Sequence, residues 1–223
     1  MSFILGDIVT KVQQRVRDTG YSSSEIKNYI NDTQNDIFNE YRLPFMETTQ
    51  DYTLAAGVSD ITNGSALPTN YVQAIDLTLT SGGAESVLVY KDIKEIDTTY
   101  PDPDDTVTNP SGIPRYWYYY AQTIRVYPAP VAAYTVTLRY YKKPTLLSSD
   151  SDVPQVPSQF EEILVVGAAY RVLQVKDNYD QAGILENKYG ELLDKMVVKF
   201  SQAQVGQATQ MRINKYAIGK RYY

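Results

Sequence analysis

The sequence predicts an α+β fold: a four-helix bundle built from N- and C-terminal helix pairs, an inserted antiparallel β domain, and an extended C-terminal tail. Three observations predict it. Helical periodicity is confined to the two ends of the 223-residue chain. Short alternating runs rich in Thr, Tyr and Val fill the middle. The third predicted helix is apolar on nearly every side and needs more neighbours than the fourth alone can supply. The expected division is 1–47 for a helical hairpin, 48–147 for the β domain, 148–203 for the returning helix pair and 204–223 for the tail.

The first helix is expected from Phe3 to Asp18, because Leu5, Ile8, Val9, Val12 and Val16 recur at three- and four-residue steps. Gly20 ends it. Ser22 and Glu25 then have the spacing of a capping box, in which hydroxyl and carboxylate satisfy each other's orphan amides. The second helix carries Ile26, Tyr29, Ile30, Ile37 and Tyr41 on one face and stops near Leu43-Pro44. Its other face is polar, with Asn28, Asn31, Asp32, Gln34 and Asn35.

From Thr48 the texture changes to strand. Tyr52 to Leu54, Tyr71 to Thr80 and Val87 to Tyr90 are short runs separated by Gly and Asn turns. Ile96 to Pro114 reads as an exposed, irregular loop, since it holds four prolines and the acids Asp97, Asp102, Asp104 and Asp105. Arg115 to Tyr120, a two-residue turn at Ala121-Gln122, Thr123 to Tyr127, a proline break and Tyr134 to Lys142 then read as a three-stranded antiparallel meander. Tyr134, Val136, Leu138 and Tyr140 alternate with polar residues, as a strand with one buried face requires.

Ser148 to Pro157 is a polar linker, and Ser158 with Glu161 has the spacing of a second capping box. The helix from Gln159 to about Lys176 follows, and after a turn at Asn178 to Asp180 a fourth helix carries Leu185, Tyr189, Leu192, Leu193, Met196 and Phe200. A shared core for all four helices places Pro44 near Ser158.

Composition narrows the chemistry. There is no Cys and no His, which removes disulfides, thiol nucleophiles, imidazole bases and the commonest zinc ligands. No phosphate loop or nucleophile elbow is present, and Glu161-Glu162 do not face each other on a helix. The chain therefore reads as a non-enzyme without cofactor. Asp102, Asp104 and Asp105 lack the glycine and closing glutamate of a calcium loop, so no metal site is assigned. No run approaches the roughly 20 apolar residues that span a membrane, and the N-terminus does not read as a signal peptide.

Charge is split. Net charge is −5, yet six of the 21 basic residues and none of the 26 acids fall in the last 29 residues; the body is then −11 and the end +6. An acidic body argues against a general nucleic-acid surface. In the tail, Met211, Ile213, Tyr216, Ile218, Tyr222 and Tyr223 interleave with Arg212, Lys215, Lys220 and Arg221, which points to a segment that orders against a partner. Tyr116, Trp117, Tyr118, Tyr119 and Tyr120 offer a stacking platform for sugars or single strands, but strand alternation and tyrosine's enrichment at interfaces favour core and protein contact.

The layout resembles the head-to-tail adaptor (connector) proteins of tailed bacteriophages. The resemblance rests on Ile8 to Val16 followed by Ser24 to Asn31, on Leu67-Pro68-Thr69-Asn70-Tyr71-Val72, on Pro114 to Trp117 with Ile124 to Pro130, on Leu138 to Tyr141, and on Val153-Pro154 to Leu164. It covers essentially the whole chain. It implies a virion protein at the head–tail junction, made in the host cytoplasm, forming a ring of about twelve copies. The implied partners are the portal protein, reached by the C-terminal residues from Met211 to Tyr223, and a tail protein of nozzle or tail-tube type. DNA would pass through the channel without specific binding. Asp102, Asp104, Asp105 and Tyr116 to Tyr120 are the candidates for subunit or tail contact. Two rival readings stay open: a tail-side or receptor-contacting component whose Tyr/Trp sheet binds a glycan, and a carbohydrate-active enzyme using an acidic pair.

Overall fold

The computed structural model describes residues 3–100 and 111–205. In chain order the elements are α1 (Leu5–Val16), α2 (Ser23–Glu40), β1 (Glu47–Leu54), β2 (Tyr71–Ser81), β3 (Ala84–Val87), β4 (Val89–Tyr90), α3 (Ile93–Thr99), β5 (Tyr116–Tyr120), β6 (Thr123–Tyr127), β7 (Tyr134–Lys142), α4 (Glu161–Val175) and α5 (Tyr179–Val205). The architecture is α+β.

Helices from the two ends of the chain share one apolar core. The expected α1 stripe is buried in full. Ile26, Ile30, Ile37 and Phe38 of α2 join it, as do Ile163 to Val165, Ala168, Ala169, Val172 and Leu173 of α4. From α5 come Ala182, Leu193 and Met196, with Leu185, Tyr189, Leu192 and Phe200 at the margin. The all-round apolarity of α4 is thereby explained. Gly167 is the point of closest approach: a Cβ there would lie 2.4 Å from Thr33 Cγ2 and 3.0 Å from Tyr189 Cε2. Where the chain leaves and re-enters this core, Phe45 and Phe160 both pack on Phe200, with ring centroids 5.3 and 5.6 Å away.

The helix starts differ from expectation. Ser22 Oγ accepts from the Glu25 N–H at 3.4 Å, which is its half of the expected box. The second box does not form. Ser158 to Phe160 make a 3-10 turn, α4 begins at Glu161 without a side-chain cap, and the Glu161 carboxylate bonds Lys11 Nζ of α1 at 2.5 Å. A cation across the helix interface competes successfully for the carboxylate that a capping box would use.

Residues 143–157 are a strap more than a linker. Asn31 and Gln34, read from sequence as part of a polar face, are 6% and 1% exposed. Asn31 Nδ2 donates to the Leu147 carbonyl and Oδ1 accepts from the Leu147 N–H, both at 2.9 Å. Gln34 accepts from the Gln155 N–H at 3.0 Å and donates to the Thr145 carbonyl at 3.2 Å. The first amides of α1 close the other side, Leu5 N–H to Asp152 O and Gly6 N–H to Asp150 O. Helix-start donors that would otherwise be orphaned are thus satisfied by the strap.

The strands form two sheets. The first has the order β1-β7-β2-β3, antiparallel throughout; the second has the order β4-β5-β6. The expected meander is therefore corrected. β5 and β6 are a hairpin, turning at Ala121 and Gln122 with φ of 49° and 62°, the left-handed pair that a tight hairpin demands. The third strand, β7, crosses to the other sheet and sits between β1 and β2. The segment Pro128-Ala129-Pro130 cannot supply a continuous ladder, since proline lacks the N–H. In its central place β7 has both edges paired where a meander would pair one.

Two further expectations change. The run Val87 to Tyr90 is divided, with β3 in the first sheet, β4 in the second and buried Leu88 as the pivot, its N–H bonded to Leu77 O. β4 pairs with β5 in parallel, an exception to an otherwise antiparallel unit. The expected loop from Ile96 begins instead as part of α3, capped by Asp92, whose carboxylate accepts from the Lys94 N–H at 2.9 Å. Ile96 is fully buried against Tyr118 and Tyr127. Apolar contact with the sheet, not local propensity, makes this short helix. Leu77, Leu79, Val136 and Leu138 of the first sheet and Trp117, Ile124 and Val126 of the second form a common core.

Candidate functional site: an aromatic trough and a charged helical seam

Two surfaces carry functional groups. The first is an open groove of 590 Å³ between β2 and the β4-β5 edge, lined by Tyr71 to Ile75, Tyr90, Trp117 and Tyr119. An adjoining hollow of 430 Å³ shares Tyr71 and Tyr119 and adds Gly64 to Pro68 and Ala121 to Thr123. The shape follows from β2, whose register against β7 slips between Tyr71 and Gln73 and again between Ala74 and Asp76. Each slip leaves one unpaired residue, Val72 and Ile75, and both line the groove. Bulges of this kind re-aim side chains.

The trough is held rigid. The Tyr71 hydroxyl accepts from the Ala74 N–H at 2.9 Å, and its ring packs on Tyr140 at 5.6 Å. Burial pushes both phenols up from their ordinary range. Tyr90 stands edge-on to Trp117 with centroids 4.8 Å apart. Among the described residues no side chain lining either hollow is charged.

The structure separates the five aromatic candidates. Trp117 and Tyr118 are buried on opposite faces of β5, in different cores. Tyr116 lies under the Lys91 ammonium at 4.8 Å. Tyr119 and Tyr120 are exposed, Tyr119 into the trough and Tyr120 beside Arg125. Tyr71 to Ile75 and Tyr90, the rest of the trough wall, were not among the sequence candidates. A signal existed: the clean alternation of Asp76 to Thr80 breaks down over Tyr71 to Ile75. Asp102, Asp104 and Asp105, and the tail candidates Met211, Arg212, Ile213, Lys215, Tyr216, Ile218, Lys220, Arg221, Tyr222 and Tyr223, lie outside the described residues.

The second surface is the seam between α4 and the helices α1, α2 and α5 that pack on it. Arg15 of α1 and Lys188 of α5 converge on Glu162 of α4, at 2.6 and 3.0 Å. Lys176 bonds Asp18 at 2.7 Å, and Arg171 joins Asp36 and Thr33 of α2. Burial pushes the Glu162 carboxyl up, but the hydrogen bonds and charges of Lys188 and Arg15 outweigh it and hold the group below its ordinary 4.5. The Lys176 hydrogen bond likewise lowers Asp18, and the Ser148 and Ser149 amides lower Asp152 in the strap. A carboxyl depressed on folding contributes stability that is complete above its unfolded value and lost as pH falls through the folded one. The melting temperature should therefore drop between about pH 5 and pH 3. Glu162→Gln should melt lower at neutral pH and show a shallower acid slope, read by circular dichroism across that range.

Among the described residues no group of three or more acidic side chains is placed to hold a metal ion, and no helix is long and apolar enough to cross a membrane. These features define an α+β protein of two principal cores, one helical and closed by both ends of the chain, the other a pair of sheets between them. The chain belongs to the SU10 adaptor protein family, whose model matches residues 4–214. This is a family of phage head-to-tail adaptors. No curated protein matches the chain.

Proposed function

We propose that this adaptor is the subunit of a ring, about twelve copies, that joins the portal to the tail and extends the DNA channel of the virion. The observation that carries the reading is the family match, which runs through both helix pairs, the inserted strands and into the basic tail. The helices act as a four-helix bundle (1–47 with 148–203), the strands as an inserted domain (48–147), and residues 204–223 as the arm that reaches the portal. Charge supports this assignment. An acidic body, 17 basic against 26 acidic residues over 1–203, gives packaged DNA little counterion-release affinity, so the duplex slides, whereas the arm, +4 over 204–223, seeks an acidic or amphipathic partner.

The test is a truncation. The chain ending at Gln207 should fold, with unchanged circular dichroism, and fail to attach to its portal rings in a pull-down; attachment by the truncated chain removes the arm's role. The second reading, a tail-side component holding a glycan, is favoured by the uncharged aromatic trough. Trp117 is the sole tryptophan and lines that groove, so its fluorescence during oligosaccharide titration separates the two.

A further inference from the structure

Among the described residues the first sheet has two free edges. β1 is hydrogen-bonded to β7 on one side and β3 to β2 on one side. Among the described residues no backbone bond is made from the other side of β1 or of the β3 ladder. All four β3 side chains are exposed, with Val87 61% exposed. Unpaired edges are templates for another chain.

The strand count fixes what fits. The order β1-β7-β2-β3 alternates direction at every step, so β1 and β3 run in opposite senses. A second copy in the same orientation, placed beside β3, therefore offers its β1 antiparallel and continues the pattern without interruption. A two-fold β1–β1 contact is antiparallel too, but it closes at two copies and leaves both β3 edges open. It would also gather Glu47 and Asp51 of both copies at one joint, with no basic residue on β1 to offset them. A head-to-tail contact occupies both edges of every copy with a single kind of joint, and a head-to-tail contact is the kind that generates rings.

We propose that β3 of one subunit pairs with β1 of its neighbour, so that the sheets form a continuous antiparallel belt around the assembly; this rests on the ring reading above. The short β3 and the acids Glu85, Glu47 and Asp51 make the joint weak between free subunits. Pairing is then expected once copies are aligned on a portal.

Face matching leaves few registers. Val87 opposes Thr78 and Thr49 opposes Arg139, on the face away from the sheet core. Registers that keep all of β3 on β1 and like faces together oppose Val87 to Glu47, Thr49 or Asp51. The chain has no cysteine, so engineered pairs report this joint alone. The double variants Glu47→Cys/Val87→Cys, Thr49→Cys/Val87→Cys and Asp51→Cys/Val87→Cys are assembled on portal rings, oxidised mildly and run on non-reducing gels. One of the three should give a ladder from dimer up to the full ring, while Thr49→Cys and Val87→Cys alone stay monomeric. Rings visible by electron microscopy without a ladder in any double variant overturn the belt and leave the adaptor reading standing. Dimers from Thr49→Cys alone show a two-fold joint and also overturn it. Absence of rings on portals for the native chain and every variant removes the adaptor reading and the belt together.

Discussion

Replacing Asn31 with Leu should destabilise the chain by about 2–4 kcal/mol, because two buried backbone groups lose their partners at once. The Asn31 amide meets both the N–H and the carbonyl of Leu147, which is itself 4% exposed. Water cannot replace the side chain without opening the strap, and Leu adds apolar surface where two polar groups remain. The loss should be specific. Asn35→Leu, at an exposed position one turn further along α2, should change stability by less than about 0.5 kcal/mol. Chemical denaturation of both variants checks this, and an Asn31→Leu cost no larger than that of Asn35→Leu would show that the strap is held by something else.

The second large effect is expected at Gly167. Glycine inside a helix ordinarily costs about 0.5–1 kcal/mol relative to Ala, so Ala should help on propensity alone. Here the new methyl would lie 2.4 Å from Thr33 Cγ2. Thr33 cannot swing aside: it is fully buried, donates to the Tyr29 carbonyl at 2.7 Å and accepts from Arg171 at 2.7 Å. Overpacking should win, and Gly167→Ala should lose about 1–3 kcal/mol net. Gly183 of α5 is the control, with nothing within 4 Å of its added Cβ. Gly183→Ala should gain up to about 1 kcal/mol. Opposite signs for the same substitution on two helices of one core would isolate the close approach as the cause.

The helices were legible because their stripes repeat at the helical period and each stripe is self-contained in sequence. The α1 stripe from Leu5 to Val16 is buried as read, and α4 is buried all round from Ile163 to Ala169 as its composition required, although Val175 at its end is exposed. The alternation of β7 was legible too, down to which residues face inward. Its neighbours were not. Period-two patterning says that Val136, Leu138 and Tyr140 share a face, but nothing local says that β1 and β2 flank it while β6 does not. The strap was illegible for a different reason. Asn31 and Gln34 on a helix surface look solvated until a distant segment supplies backbone groups for their amides. Six of the eight residues lining the trough were missed, and the five on β2, Tyr71 to Ile75, owe their placement to two slips in that strand, which depend on pairing rather than propensity. The tail and the acid cluster at Asp102 to Asp105 lie outside the described residues, so their reading rests on charge and composition.

The helical seam has a consequence for how the protein is made. Its ion pairs join residues separated by 150 positions for Lys11–Glu161, 158 for Asp18–Lys176 and 135 for Asp36–Arg171. During synthesis α1 and α2 emerge first, and their apolar stripes have no partner until α4 follows. The last strand, β7, ends at Lys142, before α4 begins. Contacts of such long sequence separation form late, since the intervening chain must be ordered before they are rewarded. The nascent chain therefore carries two helices whose apolar stripes stay uncovered until α4 is made. It also means that a chain stopped before α4 lacks the helix that covers the apolar stripes of its first two.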